Sequence, residues 1–280
     1  MAYPTVSAPY GFKPVNLIGG QVFSGSTREY PIQYGYTVPL FYGDCVTLTA
    51  GFITQVGSSN YNNPGAKGTV GVFLGCSYTD PSTKQKRFSQ YYPGTVNAGD
   101  IKAIVCDDPD TVFKCAATTA NNATTIGSVS ALVVGGSLAG TTTLTGSTAT
   151  GDSSGGIVAG SASAGTTGIP FRVLALVPES QISTSCTYVS GGAAAATSVV
   201  VSGLTVGQVL PIGTDVYNLV SGQLQYTGAT LSSASTVSTT GNTTLTVTSI
   251  TTQVAGTVVL IQSPEALVKF NFGVHNYYAA

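Results

Sequence analysis

Apolar and polar residues alternate along most of this chain in short runs, with the period of β-strands. No stretch of about a dozen residues places apolar side chains at i, i+3, i+4 and i+7, the spacing of an amphipathic helix. Runs rich in Val, Ile, Leu, Phe and Thr recur instead, separated by Gly, Pro, Asn or Asp. The predicted strands are CVTLTAGFITQV (two strands around Gly51), TVGVFLGC, IKAIVC, TVFKCAA, FRVLALV, TSVVVSGL, TTLTVTSI, GTVVLIQ and ALVKFNF. The sequence therefore predicts an all-β protein whose core domain resembles a barrel or a sandwich.

Turn signals predict three hairpins. Asp, Leu, Gly and a final apolar residue recur with the same spacing in 44–53 and 215–224. We interpret this echo as one hairpin device used twice rather than as a duplicated domain. The stretch STVSTTGNTTLTV predicts a third hairpin, turning at Gly241-Asn242. The run of alanines at 193–196 lies between glycines and β-branched residues, so we interpret it as a connector.

Charge and aromatic content divide the chain into segments. Between residues 187 and 262 the only charged residue is Asp215, and we interpret this range as an inserted β domain. Residues 43–186 and 263–280 would form the core domain, to which ALVKFNFGVHNYY returns as a closing strand. Residues 1–42 would supply an extended arm and the first strands. The Gly/Ser/Thr-rich range 118–168 could be a flexible linker, but apolar pairs within it favour an ordered excursion.

Composition excludes several partners. Charged residues make up 8% of the chain and the formal net charge is −1, against about 25% charged residues in typical soluble domains. Such a chain lacks the basic field that attracts nucleic acid. The start of the chain has neither a basic segment nor an apolar one of signal-peptide type, and no apolar run approaches a membrane span. We therefore expect neither nucleic-acid nor membrane association.

The residues needed for common catalytic and metal chemistry are scarce. The five cysteines are widely spaced and lie mostly in apolar runs, which favours buried free thiols over disulfides or a zinc site. His275, the one histidine, lies near the C-terminus in an aromatic strand, where a partly buried or interface role is favoured over a Ser/His/Asp triad. We predict no enzymatic activity, no cofactor and no metal.

Two charged clusters have structural explanations. Asp107-Asp108-Pro109-Asp110 could offer oxygen ligands to Ca²⁺, but it lacks the spacing of an EF-hand loop and is typical of a β-turn between two strands. The basic cluster 84–87 predicts a solvated loop or hairpin tip, with contact to an acidic protein surface as the functional alternative.

One stretch comes close to a nucleotide-binding motif. From Gly20 it reads G-x-x-x-x-G-S-T, where a phosphate-binding loop has G-x-x-x-x-G-K-[ST]. Ser26 occupies the position of the lysine that reaches the phosphates. Pro31, Gly35 and Pro39 follow, so no helix can begin there and point its amide groups at an anion. The stretch therefore does not predict a nucleotide site.

In a longer context the same stretch resembles a known family. The segment APYGFKPVNLIGGQVFSGSTREYPIQYGYTVPLFYGDCVTL resembles the N-terminal part of head decoration (cement) proteins of tailed bacteriophages, of the podovirus-like marine and cyanobacterial type. The resemblance continues through GVFLGCSYTDPSTKQKRFSQYYPGTV, AIVCDDPDTVFKC, IPFRVLALV and ALVKFNFGVHNYY. It covers most of residues 7–178 and 264–280 and leaves out 187–262, which supports the interpretation of that range as an inserted, outward-facing β domain.

The resemblance implies a structural virion protein without enzymatic activity. Such a protein is a homotrimer that binds the outer face of the mature head, where major capsid protein subunits meet, after synthesis and assembly in the host cytoplasm. Residues 8–39 would be an arm lying on a neighbour. Its anchors would be Tyr10, Phe12, Leu17, Ile18, Phe23 and Tyr30, with Arg28 and Glu29 at a polar rim. The alternative is that these apolar side chains fill the domain's own core.

Two other functions stay open. The chain could be a receptor- or glycan-binding module of a tail fibre or surface adhesin, with the Thr/Ser-rich segment as its binding face. Fibres usually show repeats or heptads, and neither is visible in this sequence. A carbohydrate-active enzyme on a β scaffold is the third possibility, against which the scarcity of plausible carboxylate pairs counts.

Overall fold

The fold of the described residues consists almost entirely of β-strands. The computed structural model describes residues 10–56, 68–121, 126, 129–130, 132–133, 146–157, 171–238 and 241–271. Within those ranges the one helical element is a 3-10 turn, Pro178–Ser180. The predicted all-β class is confirmed. Two compact units divide the chain: the larger comprises the described residues of 5–118, 127–175 and 266–280, and the smaller those of 119–126 and 176–265.

The larger unit contains two mainly antiparallel sheets. Its strands are β1 (Lys13–Leu17), β2 (Arg28–Pro31), β3 (Cys45–Thr49), β4 (Phe52–Gln55), β5 (Gly71–Thr79), β6 (Lys86–Ser89), β7 (Lys102–Cys106), β8 (Thr111–Asn121), β9 (Val129–Ser130), β10 (Leu132–Val133), β11 (Gly156–Ile157) and β12 (Phe171–Leu176). One sheet has the order β2-β7-β5-β3-β4, with β6 paired to β5. The other forms around β8, which pairs with β1 and β11. Neither closes into a barrel within the described ranges, so the sandwich-like alternative is the one that fits.

In the sheet β2-β7-β5-β3-β4, successive side chains along a strand point to opposite faces, so the core of the larger unit has two layers. Residues on one face pack against the second sheet in a cluster that includes Phe12, Cys45, Val72, Cys106, Phe113 and Phe171. Their neighbours in the same strands point the other way and form a second cluster, which includes Val46, Phe73, Ala103 and Val105. Both faces of the sheet are therefore covered, and β5 is buried along almost its whole length.

The smaller unit has one main sheet. Its strands are β13 (Ile182–Gly191), β14 (Ser198–Ser202), β15 (Val209–Leu210), β16 (Asp215–Val220), β17 (Gln223–Thr230), β18 (Ser235–Thr236), β19 (Asn242–Thr246) and β20 (Thr257–Phe270). The order of the sheet is β17-β16-β20-β13-β14-β19, all antiparallel, and β15 pairs with β18. Apolar residues on one face form the unit's own core, which includes Val199, Val216, Leu245 and Leu260. This unit contains the range 187–262, predicted as an inserted domain.

Two of the three predicted hairpins are confirmed. The turn Ala50-Gly51 joins β3 to β4, and Ser221-Gly222 joins β16 to β17; all four residues have positive φ, between 51° and 85°. Two-residue turns of this kind match the twist of paired strands. The third hairpin, at Gly241-Asn242, is wrong, because β18 pairs with β15 and β19 with β14. The local turn signal is overridden there by partners more distant in sequence.

Two further expectations need correction. GTVVLIQ and ALVKFNF form one continuous strand, β20, which runs through Pro264. The predicted arm is part of the larger unit from Tyr10 onwards, because β1 pairs with β8 and β2 with β7. Within the predicted excursion 118–168, the described residues 146–157 are ordered: Tyr42 donates its N–H to Gly151 O at 2.9 Å, and Ser153 donates to Tyr42 O at 2.9 Å. The rest of that excursion lies outside the described residues or is described only in short strands.

Candidate partner-binding surface

Phe12 belongs to the core of the larger unit. The sequence predicts it as an anchor for a partner, but its side chain is fully buried. Its ring stacks on Phe171 with centroids 4.2 Å apart and planes 9° apart. The backbone beside it is equally close-packed, since a Cβ at Gly43 would lie 2.7 Å from the Phe12 nitrogen. The anchor prediction for Phe12 is therefore wrong, and the alternative of a core role holds.

The segment 17–22 forms a tight loop that exposes apolar side chains. The Leu17 N–H donates to Gln21 O at 2.8 Å, and Gly20 donates to Leu17 O at 3.1 Å. The Ile18 N–H donates to Asp110 O at 2.9 Å, which fixes the loop to the turn between β7 and β8. Ile18 is 43% exposed and Val22 80% exposed. A rigid backbone therefore presents two apolar side chains to solvent.

The glycines of this stretch serve the loop. Gly19 and Gly20 have φ of +91° and +82°, values that residues other than glycine rarely adopt. The motif is followed by β2, not by a helix. The helix N-terminus that a phosphate-binding loop requires is thus absent at this position.

Arg28 and Tyr30 meet at one buried carboxylate. The Arg28 Nε lies 3.2 Å from Asp107 Oδ2, and the Tyr30 hydroxyl donates to the same oxygen at 2.7 Å. Asp107 is 5% exposed, so these two partners stabilise a charge that burial alone would disfavour. Asp107 immediately precedes the predicted β-turn, which is confirmed by the Thr111 N–H donating to Asp108 O at 3.2 Å. The prediction of a turn at this acidic cluster is correct.

Glu29 points to solvent beside β7. Its Oε2 accepts a hydrogen bond from Lys102 Nζ at 2.8 Å. That bond and the charge of Lys102 lower the pKa of Glu29, and the same contact raises the pKa of Lys102. Both side chains are more than half exposed, so the pair contributes little to stability. It is available to exchange partners at an interface.

The remaining predicted anchors are half-buried. Leu17 and Phe23 are partly covered, and Phe23 packs against the first core cluster. The Tyr10 ring lies beneath two lysines, with Lys13 Nζ 5.1 Å and Lys114 Nζ 5.7 Å from its centroid. Lys13 also lies 3.6 Å from Asp152 Oδ1. These predicted anchors are therefore only partly accessible.

Besides Val22, another exposed apolar residue, Phe88, escaped the sequence prediction. Phe88 lies on β6 of the β5–β6 hairpin, opposite Ser77, and is 75% exposed. The hairpin confirms the predicted structure of the basic cluster, since Asp80 donates its N–H to Gln85 O at 2.9 Å. Lys86 pairs with Asp100 at 3.0 Å and Arg87 with Asp80 at 3.6 Å. The sequence signal that could have identified Phe88 is its position as an aromatic residue directly after a basic cluster.

The cysteines offer no accessible nucleophile. All five are buried free thiols, as the sequence predicts. Burial raises the pKa of the Cys76 thiol to about 12 and that of Cys106 to about 11. The reactive thiolate form is therefore suppressed at neutral pH.

Clusters of metal ligands and long apolar helices are both absent from the described ranges. Among those residues no group of three or more His, Cys, Asp or Glu side chains is arranged to hold a metal ion. No helix in the described part of the chain is long and apolar enough to cross a membrane. His275 lies outside the described residues.

Exposed apolar residues in hydrogen-bonded loops, beside ion-paired strands, are suited to contact with another protein. We call the set of Ile18, Val22, Arg28 and Glu29 the loop surface. No family model matches this chain, and no curated protein gives a significant match.

Proposed function

We propose that this chain is a structural virion protein, without enzymatic activity, that binds the outer surface of a mature phage head. It binds at junctions between major capsid protein subunits and stabilises them, as a homotrimer. The observation that carries the proposal is the exposure of Ile18 and Val22 on a loop fixed by three backbone hydrogen bonds. An ordered loop loses little conformational entropy on binding, which removes one of the costs that oppose association.

The physical role follows from linkage. A protein that binds the assembled lattice and not the separated subunits stabilises the lattice by mass action. Three copies of one modest contact, held in a trimer, raise the overall affinity through effective concentration. The pairs Arg28–Asp107 and Glu29–Lys102 supply charged groups on β2 that would fix the register of docking.

The test uses purified protein and undecorated, expanded heads. We expect saturable binding at symmetric sites and raised thermal resistance of the heads. Ile18→Asp with Val22→Asp should abolish binding, because two carboxylates would have to be buried. The matched control is Val206→Asp, 48% exposed in the smaller unit, which should bind as the parent does.

Three results would count against the proposal. A protein that ignores heads refutes the virion role. A folded double variant that binds heads as tightly as the parent refutes the loop surface. A monomer at the concentrations that decorate heads refutes the trimer, as measured by sedimentation equilibrium.

A further inference from the structure

One face of the main sheet in the smaller unit points away from that unit's core. Along β16 the buried Val216 belongs to the core, whereas Tyr217 and Leu219 alternate with it and point to the other face. The β16–β17 register places Tyr217 opposite Tyr226 and Leu219 opposite Leu224. We call the face formed by Asp215, Tyr217, Leu219, Leu224 and Tyr226 the tyrosine face.

The two rings form a partly exposed platform. Their centroids are 5.2 Å apart and their planes are inclined by 45°. Both tyrosines are half-buried, while Leu219 is 39% and Leu224 50% exposed. Beside Tyr217 in the ladder, Val259 of β20 is 7% exposed. The platform therefore covers apolar residues of the sheet and still presents aromatic and aliphatic surface.

A carboxylate is positioned at the edge of this platform. Asp215 lies two residues before Tyr217 on the same strand and is 3% exposed. The Tyr226 hydroxyl donates a hydrogen bond to its carboxylate, and burial together with Asp215 raises the pKa of Tyr226. The pKa of Tyr217 is raised by the same two causes. The buried Asp215 thus fixes the Tyr226 hydroxyl, and with it the ring that lies beside Tyr217.

A row of hydroxyl groups continues the face on the next strands. Across β20, the β13 residues Ser183, Ser185 and Thr187 pair with Ile261, Val259 and Thr257, so they lie on the same side of the sheet as the tyrosines. All three β13 residues are exposed. Small hydroxyl side chains can donate and accept hydrogen bonds without a fixed charge.

The charge of the unit defines the chemical class of ligand. In Leu176–Glu265 the sequence has three acidic residues and no basic residue: Glu179, Asp215 and Glu265. Asp215 and Glu265 are buried. An anionic ligand such as a phosphate would find no cation here, and a face with no exposed charged side chain has nothing to recognise in a strongly charged protein surface.

We propose that the tyrosine face binds a neutral saccharide. The apolar C–H face of a sugar ring would stack on Tyr217 and Tyr226, as aromatic side chains do at sites that are apolar on one side and wet on the other. The exposed hydroxyls of Ser185 and Thr187 exchange hydrogen bonds with sugar hydroxyls, whereas the buried Asp215 acts through Tyr226, whose hydroxyl it holds in place. This activity belongs to the smaller unit and does not depend on the proposed role at the head.

The test is calorimetric titration of the full-length protein with short neutral oligomers of glucose, galactose and mannose. We expect saturable binding of at least one of them. Tyr217→Ala should weaken it by tenfold or more, and Asp215→Asn by severalfold, because Asp215 acts only by positioning Tyr226. Tyr226→Phe keeps the ring and should weaken binding by severalfold, because only the orienting hydrogen bond is lost. The control is Tyr34→Ala, a tyrosine 65% exposed in the larger unit, which should bind as the parent does.

Two outcomes would overturn the proposal. The first is the absence of heat and of saturation-transfer NMR signals for every sugar at millimolar concentration. The second is binding that a folded Tyr217→Ala variant retains in full. If Leu224→Ser abolishes a concentration-dependent self-association instead, the tyrosine face is an interface between copies of this chain and not a saccharide site.

Discussion

Asp44 should make the stability of the larger unit depend on pH. Its side chain is fully buried, and its Oδ2 accepts hydrogen bonds from the Phe41 N–H at 2.8 Å and from Gln55 Nε2 at 3.4 Å. Burial raises the pKa of Asp44 to about 6, although hydrogen bonds from Phe41, Ser153 and Gln55 oppose the rise. The folded state therefore binds this proton more tightly than the unfolded chain does.

The sign and size of the effect follow from linkage. The pKa in the folded state lies above the ordinary value of 3.8, so the stabilisation is fully present below about pH 4 and is lost as the pH rises through about 6. A shift of about two pKa units corresponds to roughly 3 kcal/mol in total. About 2 kcal/mol of this should be lost between about pH 4.5 and about pH 8.

The variant Asp44→Asn tests this reasoning, because an amide of the same shape cannot ionise. The assay is urea unfolding at the two pH values, followed by near-ultraviolet circular dichroism of the tyrosines. The free energy of unfolding of Asp44→Asn minus that of the parent should be about 2 kcal/mol larger at pH 8 than at pH 4.5. Glu179→Gln, an exposed carboxyl on the 3-10 turn, serves as the control and should show no such difference. A parent-to-variant difference equal at both pH values would refute the buried, proton-binding carboxyl.

Two further predictions concern packing and backbone in the larger unit. Phe12→Ala should lower the free energy of unfolding by roughly 3–5 kcal/mol because the ring is fully buried. Phe88→Ala should change it by less than about 0.5 kcal/mol because that ring is 75% exposed. Equal losses for the two variants in urea unfolding would refute the burial of Phe12. Gly43→Ala should cost at least about 2 kcal/mol more than Gly51→Ala, since both have positive φ but only a Cβ at Gly43 meets backbone at 2.7 Å; thermal unfolding of the two variants measures the difference.

Local patterns in the sequence predicted local structure well. The spacing of Asp, Leu and Gly in 44–53 predicted a hairpin, and the turn at Ala50-Gly51 follows from the freedom of glycine at positive φ. The β-turn at Asp108 was also predictable from local sequence, because Pro109 fixes φ at the second position of the turn. In both cases the signal and the structure lie within about ten residues of each other.

Pairing between distant segments was not predictable in this way. The segment 10–31 contains glycines, prolines and scattered apolar residues, which fit an arm on a neighbour as well as strands of its own domain. Its partners are β8 and β7, which lie some 70 to 100 residues away, and a single strand does not specify its partner. The burial of Phe12 depends on that pairing and on Phe171. The anchor residues could therefore not be separated from core residues by pattern alone.

The two hairpins that share the spacing of Asp, Leu and Gly also share structural features. Each begins at a buried aspartate, Asp44 or Asp215, and each turns through two residues of positive φ. A two-residue turn at Ser221-Gly222 fixes Tyr217 opposite Tyr226 by counting outwards, so the ring pair could be derived from sequence once the turn was known.

The position of Asp215 could not be derived in the same way. Regular pairing would place it opposite Gly228, but the register shifts and Asp215 lies opposite Thr230. Gly228 has a φ of +76°, and a Cβ there would collide with Thr251, so this glycine permits an irregularity that only the tertiary contact explains. The same spacing thus yields a proton-binding group within the larger unit and a hydrogen-bonded acceptor beside two tyrosines in the smaller one. The chemistry of each aspartate is set by what packs around it, and the variants of Asp44 and Asp215 test those surroundings separately.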